Sequence, residues 1–317
     1  MSDILFIKTS SLGDVIHHMP ALNEARQRRP DARFFWVVEE AFAPLARLHP
    51  ALSGVIPVAA RRWRRRPLAP STWREIADFS RAVRVRAYDA VVDTQGLVRS
   101  ALIAGLARGA RHGYDAGSVR ERPAAWFYDV QHGVARALHA VARNRILTGY
   151  ALGYTPAGPV DFGLPRGAPD AGRPPYAILL HATARPEKDW PETSWVALGH
   201  ALAARGAGLV LPWGTKAEHA RSRRIAAALP NAEVPDRQPL DRMARLIGGA
   251  AFVVGVDTGL LHLAAALGVP LAGIFVGSEP GLTGPVGQGP IAVIGGRDRP
   301  PSVAEVLAAL ERHVWRG

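Results

Sequence analysis

The amino-acid sequence predicts an α/β protein with two doubly wound domains, each built on a parallel sheet that is covered by helices. Three observations support this prediction. Apolar runs of strand length alternate with stretches of helix length along the chain. The alternation is interrupted at residues 155–175, where ten of 21 residues are Gly or Pro. The length of 317 residues suits two domains of similar size.

The first half of the chain contains the signals of one such domain. A compact apolar run at residues 4–7 predicts a strand, and a loop of small residues leads from it into a helical pattern that ends near Arg29. Apolar runs at 33–38, 55–58 and 89–93 predict further strands. Helix-length stretches lie at 97–107 and 123–142.

The same alternation restarts after the break. Strands are predicted at 177–180, 208–211, 251–256 and 271–275, and helices at 192–204, 217–229, 240–247 and 260–267. Residues 302–316 carry apolar side chains at helical spacing and therefore predict a final helix that must pack on another surface. The predicted divisions are a first domain at 1–160, a second at 161–300, and a C-terminal helix at 301–317.

Composition excludes several classes of protein. A content of 48% hydrophobic and 21% charged residues is typical of a globular chain and not of a disordered one. The chain has no Cys, which excludes disulfide scaffolds, thiol nucleophiles and iron–sulfur clusters, and fits a reducing compartment. The first seven residues lack a basic segment typical of a secretory signal, so we expect a cytoplasmic protein.

The positive charge is concentrated in the first half. Residues 1–160 hold 23 Lys and Arg against 13 Asp and Glu, a net charge of +10, whereas residues 161–317 have a net charge of +2. A field of this sign favours an anionic partner, such as nucleic acid, an anionic lipid surface, or a phosphorylated or carboxylated substrate.

Residues 250–277 are apolar except for Asp257 and His262, so we considered a transmembrane span. Asp257, four glycines and Pro270 divide this stretch into pieces shorter than the roughly 20 continuous residues that a bilayer requires. A buried strand–helix–strand unit is the better interpretation.

The loop at residues 8–14 follows the first predicted strand. Open α/β sheets bind ligands at the carboxyl ends of their strands, because helix N-termini point into that crevice. The loop lacks the glycine spacing of a dinucleotide fingerprint and that of a P-loop. Asp14 is either a helix N-cap or a general base, since a carboxylate near a helix start stays ionised and can accept a proton.

A second candidate site lies in the second half. Thr183 follows a predicted strand and Lys188 lies shortly after it, so their hydroxyl and ammonium groups could bind phosphate; a solvated lysine is the alternative. Asp257, Thr258 and Gly259 join a buried strand directly to a helix. The N–H groups of Thr258, Gly259 and Leu260 then form an anion site at the positive end of that helix.

Other kinds of site are disfavoured. The triplet at residues 257–259 also occurs in aspartic proteases, which need two such carboxylates on β-rich lobes, and this chain has only one in an α/β context. No metal site is predicted, because no Asp-x-Asp or Cys occurs and His17 and His18 are adjacent on a helix. The run at 61–66 holds five arginines and Trp63, which suggests a nucleic-acid patch, a solvated loop or a docking surface for an anionic acceptor.

Taken together, these motifs resemble those of glycosyltransferase family 9, the heptosyltransferases of lipopolysaccharide synthesis, and in particular its enzymes for the first heptosyl transfer. The resemblance covers nearly the whole chain in order, and it rests on Lys8-Thr9-Ser10-Ser11-Leu12-Gly13-Asp14-Val15, Arg61-Arg62-Trp63-Arg64, Asp93-Thr94-Gln95-Gly96-Leu97-Val98, His181-Ala182-Thr183, Lys188-Asp189-Trp190-Pro191 and Val256-Asp257-Thr258-Gly259-Leu260-Leu261-His262.

The resemblance implies a GT-B fold, two Rossmann-like domains that face a cleft, with a C-terminal helix that crosses back to the first domain. It implies an inverting, metal-independent enzyme without a cofactor, which transfers heptose from ADP-heptose to the Kdo of Kdo2-lipid A. Its partners would be those two substrates and the anionic cytoplasmic face of the inner membrane, and no nucleic acid.

The resemblance also assigns residues. The catalytic groups would be Asp14 and Lys188. Donor contacts would come from Thr183, Lys188, Glu218, Asp257, Thr258, Gly259, Leu260 and His262. Acceptor contacts would come from Ser10, Ser11, Gly13, Arg61, Arg62, Arg64, Arg99, Arg120 and Arg143. Two positions depart from the family pattern: Ala184 replaces a second threonine, and Arg99 stands where a lysine is expected.

Three other functions remain open at this stage: a heptosyltransferase that adds a later residue of the core, a nucleotide-sugar epimerase on the same scaffold, and a basic protein that binds nucleic acid or an anionic membrane.

Overall fold

A computed structural model describes residues 1–167, 172–183, 185–277, 279–297 and 299–314. The chain divides into two compact units, Met1–Gly163 and Leu164–Gly317. The division falls inside the Gly- and Pro-rich stretch, where few residues can extend a helix or an interior strand.

The first unit is built on a parallel sheet with the strand order β3-β2-β1-β4-β5-β6 among the described residues. This order reverses direction between β1 and β4, which places the loops after these two strands at a topological switch point. The strands are β1 (Asp3–Ile7), β2 (Arg33–Glu39), β3 (Leu52–Val58), β4 (Ala90–Asp93), β5 (Arg111–Tyr114) and β6 (Val130–His132).

Helices connect and cover these strands. Every residue of β1 and β4 is buried, as expected for central strands with helices on both faces. The helices of this unit are α1 (Leu12–Arg28), α2 (Ala43–Ala46), α3 (Ala60–Arg65), α4 (Pro70–Arg84), α5 (Val98–Leu106) and α6 (Ala140–Leu152), with 3-10 turns at Glu40–Phe42 and Arg122–Phe127.

The second unit repeats the topology. Its described strands are parallel in the order β9-β8-β7-β10-β11-β12, so the switch point lies between β7 and β10. The strands are β7 (Tyr176–Leu180), β8 (Gly208–Val210), β9 (Ala232–Glu233), β10 (Phe252–Val256), β11 (Leu271–Phe275) and β12 (Ile291–Gly295). The helices are α7 (Glu192–Ala203), α8 (Lys216–Ala227), α9 (Leu240–Gly248), α10 (Gly259–Ala266) and α11 (Val303–Ala309), with a 3-10 turn at Pro186–Lys188 and a π-helical turn at Leu310–Val314.

The structure therefore confirms the predicted α/β class and the two parallel sheets. The predicted helix at 123–142 is wrong, because this stretch forms the 3-10 turn at Arg122–Phe127 and edge strand β6 before α6 begins at Ala140. Strand β6 is only three residues long and is not fully buried, so it left no apolar run in the sequence.

The C-terminal segment also differs from the expectation. Its apolar face was predicted to pack on the first domain, but Val306, Ala309, Leu310 and Val314 lie in the hydrophobic core of the second unit, where α11 contacts α7, β11 and β12. The apolar surface of the nearby sheet buries these side chains without a longer connection. The last part of the predicted helix, residues 315–317, lies outside the described residues.

The apolar stretch at 250–277 forms β10, α10 and β11. Within the described residues, no helix is both long enough and apolar enough to span a membrane.

Candidate active site

The predicted site residues lie in two places, one in each unit. Asp14 and its neighbours in the first unit follow β1 and β4, and most of the predicted donor residues in the second unit follow β7 and β10. Both are the central strand pairs at which the sheet order reverses, so each site occupies the edge where an open α/β sheet binds ligands. The exceptions lie after other strands or on helices, namely Arg61, Arg62, Arg64, Arg120, Arg143 and Glu218.

Asp14 lies in the first turn of α1 and is not the N-cap. Ser11 occupies the N-cap position with an extended backbone, so the N-cap alternative for Asp14 is wrong. The N–H of Ser11 donates to Oδ2 of Asp14 over 2.9 Å, and Arg120 Nη2 contacts Oδ1 over 3.1 Å. The carboxylate is still 16% exposed, so a substrate hydroxyl could reach it.

Two cations keep Asp14 ionised. Burial acts to raise the pKa of Asp14, but the charges of Lys8 and Arg120, with the hydrogen bond from Ser11, outweigh it and hold the pKa below its usual value. Burial has the opposite effect on Lys8. It lowers the pKa of the Lys8 ammonium to about 8, although the charge of Asp14 opposes that shift. Lys8 is held by the carbonyl of Thr94 at 2.9 Å.

The loop after β4 braces the loop after β1. Gln95 Oε1 accepts hydrogen bonds from the N–H groups of Thr9 and Ser10 at 3.1 and 3.2 Å. Gln95 is itself positioned by Asp93, which accepts its N–H over 2.8 Å and the Tyr128 hydroxyl over 2.8 Å. Because these partners are buried, the geometry around Asp14 is set before any substrate arrives.

Arginines predicted for the acceptor gather around this loop. Arg99 Nη2 donates to Ser10 Oγ over 3.2 Å, and Arg120 contacts Asp14 as described. Arg143 donates to the carbonyl of Ser118 and lies over the ring of Tyr114, with 4.6 Å to its centroid. The structure thus brings Ser10, Arg99, Arg120 and Asp14 together by direct contacts. Gly13 lies beside them in the first turn of α1.

The arginines of α3 lie in a different setting. Arg62 is held between Glu40 and Glu75, at 3.0 and 2.6 Å, so its charge is already balanced within the protein. The N–H of Arg61 donates to Glu39 Oε1 over 3.0 Å. Arg64 is exposed, and no hydrogen bond or ion pair within the described ranges involves its side chain.

Trp63 is not an exposed aromatic platform. Its Nε1 donates to Glu75 over 2.7 Å, and its ring packs edge-on against Phe79 at a centroid distance of 5.7 Å. A nucleobase could not stack on the Trp63 ring while it packs against Phe79 and donates to Glu75. This weakens the nucleic-acid interpretation of the arginine run.

In the second unit, Lys188 and Asp257 form a close ion pair, with Nζ 2.5 Å from Oδ2. Their side chains are only 16% and 11% exposed. His262 Nε2 lies 3.7 Å from the other carboxylate oxygen, and Thr183 Oγ1 donates to the Asp257 carbonyl over 3.3 Å. The sequence placed Thr183, Lys188 and the Asp257–His262 segment in three separate motifs, and the fold brings them together.

Helix α10 begins directly beside this cluster. Thr258 is its N-cap, with an extended backbone, and Gly259 and Leu260 are the first helical residues. The first N–H groups of a helix have no acceptor within it and carry a partial positive charge, so this end suits an anion.

Glu218 follows β8 and lies in the first turn of α8. Its Oε2 accepts the N–H groups of Gly214 and Thr215 at 2.7 and 3.1 Å, while Thr215 Oγ1 accepts the N–H of Glu218. This reciprocal cap fixes the loop and leaves Oε1 available for a ligand hydroxyl. Ala184, the predicted departure from the family pattern, lies outside the described residues.

Two residues that support Asp14 were not among the predicted site residues. Lys8 and Gln95 were read only as parts of motifs, although both are buried and polar and follow central strands. A polar residue within two positions of the end of a buried central strand is the signal that could have found them. Among the described residues, no group of three or more His, Cys, Asp or Glu side chains could hold a metal ion.

Comparison with known proteins identifies similar proteins over most of the chain. The profile of glycosyltransferase family 9 (heptosyltransferase) matches residues 76–307. Lipopolysaccharide heptosyltransferase 1 of Salmonella typhimurium is 43% identical over 91% of this chain and 93% of its own. The Pseudomonas aeruginosa enzyme of the same name is 44% identical over 90% of this chain and 81% of its own.

Solved structures agree. Escherichia coli heptosyltransferase WaaC with ADP superposes with a TM-score of 0.87 at 40% identity, covering 98% of both chains. WaaC with ADP-2-deoxy-2-fluoro heptose gives a TM-score of 0.85 at 39% identity, again over 98% of both chains. With a family profile across most of the sequence and relatives above 40% identity over nearly its full length, the chain belongs to glycosyltransferase family 9, the heptosyltransferases.

Proposed function

We propose that this enzyme transfers a heptosyl group from ADP-heptose to the Kdo of Kdo2-lipid A, with inversion at the anomeric carbon. The observation that carries the proposal is the similarity over 98% of the chain to WaaC, which was solved with ADP and with a fluorinated ADP-heptose. The curated relatives above 40% identity are heptosyltransferases 1. Heptosyltransferase 2 of Escherichia coli matches only 36% of the chain, at 31% identity, so the later transfer is the weaker alternative.

Asp14 acts as the general base in this proposal. Inversion by a single displacement needs one group that takes the proton of the attacking hydroxyl as the bond to the leaving ADP breaks. Asp14 is ionised and partly exposed, and its carboxylate is aimed by Ser11 and Arg120. The negative charge of the carboxylate also favours the oxocarbenium character of the transition state.

The residues around the Lys188–Asp257 ion pair in the second unit bind the donor. The N–H groups at the start of α10 and the ammonium of Lys188 stabilise the diphosphate, whose negative charge grows as it leaves. Asp257 positions Lys188 through their 2.5 Å contact, and Thr183 fixes the backbone of Asp257. Glu218 and His262 complete the donor site, with Glu218 offering a carboxylate oxygen to a sugar hydroxyl.

The arginines of the first unit bind the acceptor. Arg99, Arg120 and Arg143 surround the loop of Asp14 and suit the carboxylate of a Kdo sugar, because guanidinium groups bind carboxylates in a two-point geometry. Arg61, Arg62 and Arg64 would meet the lipid A phosphates. Arg62 must exchange one of its two carboxylate partners to do so, so we expect Arg64 to contribute more.

The proposed location is the cytoplasmic face of the inner membrane, where such a lipid acceptor lies. The net charge of +10 on residues 1–160 favours an anionic surface, and each basic residue near such a surface contributes about 1 kcal/mol.

Mass analysis of the product tests the proposal. The enzyme is given ADP-heptose with Kdo2-lipid A, and in parallel with an acceptor that already carries the first heptose. We expect one added heptose on Kdo2-lipid A only. Addition to the heptosylated acceptor alone would show the later transfer instead, and conversion of the donor without any acceptor would indicate an epimerase.

Calorimetric titration with ADP, UDP and GDP tests which nucleotide the donor site prefers, and ADP should bind most tightly.

A further inference from the structure

One feature of the first unit has no role in the transfer described above. Residues 65–74, which we name the arginine tip, connect α3 to α4 and include the first turn of α4. Leu68 is 89% exposed and Trp73 is 61% exposed. Monomeric proteins seldom place large apolar side chains so far into water without a partner for them.

The arginine tip is ordered by its own hydrogen bonds. The N–H of Ala69 donates to the carbonyl of Arg66 over 3.2 Å, and Thr72 Oγ1 donates to the same carbonyl over 2.8 Å. Pro67 and Pro70 restrict the backbone on either side of Leu68. Leu68 is therefore presented on a fixed turn, so little conformational entropy would be lost on binding.

The charged residues of the arginine tip are all positive. The arginine tip contains Arg65, Arg66 and Arg74 and no acidic residue. All three arginines are exposed, and no hydrogen bond or ion pair among the described residues engages their guanidinium groups. The tip thus carries three available cations next to two apolar side chains.

At the opposite end of α4, an exposed apolar residue also lies beside arginines, but those arginines make contacts within the protein. Val85 is 76% exposed and also has arginine neighbours. Arg84 donates to the carbonyl of Leu106, and Arg86 lies over the ring of Phe35 near Asp3. Arg84 and Arg86 therefore make contacts that stabilise the fold, whereas the guanidinium groups of the arginine tip make no such contacts among the described residues.

We propose that the arginine tip is a membrane anchor, in which Leu68 and Trp73 enter the interface of an anionic bilayer while Arg65, Arg66 and Arg74 bind lipid headgroups. Tryptophan concentrates at membrane interfaces, and arginine binds phosphate with several donors. Apolar burial and charge attraction then act on the same ten residues. Nucleic acid fits the arginine tip less well than a bilayer does, because the nearby Trp63 ring donates to Glu75 and packs on Phe79 and so is not available to stack on a nucleobase.

The anchor rests on the proposed function only for its biological setting, so the test separates the two. Binding to vesicles of phosphatidylglycerol and phosphatidylethanolamine is measured by sedimentation for the wild type, for Leu68→Ser with Trp73→Ser, and for Arg65→Gln with Arg74→Gln. Val85→Ser is the matched control, an exposed apolar residue about 18 Å along the same helix from Trp73. Vesicles of phosphatidylcholine alone report the need for anionic lipid.

We expect the apolar pair to weaken binding about 10-fold or more. The arginine pair should weaken it about 30-fold, at roughly five-fold for each cation, and only on anionic vesicles. Val85→Ser should bind like the wild type. Equal binding by all variants would overturn the anchor, as would an equal loss in Val85→Ser.

Two further measurements exclude other occupants and other failures. A gel-shift assay with single-stranded DNA should give no binding that depends on the arginine tip, and gel filtration should give the same size for wild type and variants; a tip-dependent shift in either assay would overturn the proposal in favour of nucleic acid or a second copy of the chain. Transfer to a deacylated, water-soluble acceptor should be unchanged in the variant with Leu68→Ser and Trp73→Ser. If the wild type transferred to no acceptor but still bound vesicles through the tip, the proposed function would fail and the anchor would stand.

Discussion

Lys8 and Asp14 show how a buried cation prepares a base. Lys8 is 4% exposed, so its positive charge is poorly solvated and acts strongly on its neighbours. The charge lowers the pKa of Asp14, while burial lowers the pKa of Lys8 to about 8. Asp14 therefore stays deprotonated, and ready to accept a proton, at pH values where an isolated buried carboxyl group would not.

Replacing Asp14 by Asn removes the carboxylate of the proposed general base while keeping the shape of the side chain. We expect kcat to fall by roughly 10² to 10⁴, as for the loss of a general base, with little change in the affinity for ADP. Steady-state kinetics and calorimetry measure the two quantities, and Asp31→Asn, at an exposed position outside the site, is the control. A variant that kept wild-type turnover would remove Asp14 from its role.

Replacing Lys8 by Met should move the pH dependence of kcat/KM. A group with a depressed pKa is ionised down to a lower pH, so loss of the cation that depresses it raises the pKa of Asp14. The acid limb of the profile should then move to higher pH. Lys8→Arg, which keeps the charge, should leave the limb closer to the wild type. An unchanged limb in Lys8→Met would show that Lys8 does not control Asp14.

At the scale of elements, most of the candidate site residues follow four central strands. The loop after β4 holds the loop after β1 through Gln95, and the residues after β7 and β10 meet in the Lys188–Asp257 pair. The outer elements are less regular, and the C-terminal segment covers the second sheet through Val306 and Leu310, both fully buried. This packing makes the segment part of the second unit.

Leu310→Ala tests that packing. Truncation of a fully buried leucine leaves a cavity and costs about 2–5 kcal/mol in the free energy of unfolding. The loss should fall on the second unit, so hydrogen exchange should accelerate in β11 and β12 more than in β1 and β4. Leu102→Ala, at a position 53% exposed, is the control. Equal acceleration in both sheets would contradict the assignment of the segment to the second unit.

At the scale of the whole molecule, the charge is divided between the two halves. The first 160 residues have a net charge of +10 and the remaining residues +2, which is the division expected if the first unit binds the proposed anionic acceptor and the second unit binds the nucleotide sugar. A broad field of this kind is screened by salt, whereas close donors to a diphosphate in a partly buried site are screened much less.

Ionic strength should therefore separate the two substrates. As salt rises from about 0.05 to 0.5 M, we expect KM for a soluble Kdo acceptor to rise several-fold and KM for ADP-heptose to change little. Both constants come from one series of initial-rate measurements, so each substrate is the control for the other. A parallel rise in both would show that the charge of the first half does not select the acceptor.

The sequence by itself determined the fold class, the division of the chain and the positions of the candidate loops, because apolar periodicity and Gly–Pro interruptions are local properties. It did not determine edge strand β6 or the surface that the C-terminal segment covers. A short strand and a packing surface are both stabilised by contacts with residues far along the chain. Only the tertiary structure placed Lys8, Gln95 and Arg120 around Asp14 and paired Lys188 with Asp257. The contacts of Lys188 with Asp257, Lys8 with Thr94 and Arg120 with Asp14 join residues 69, 86 and 106 positions apart, and burial and electrostatic coupling exist only once the sheets bring such residues together.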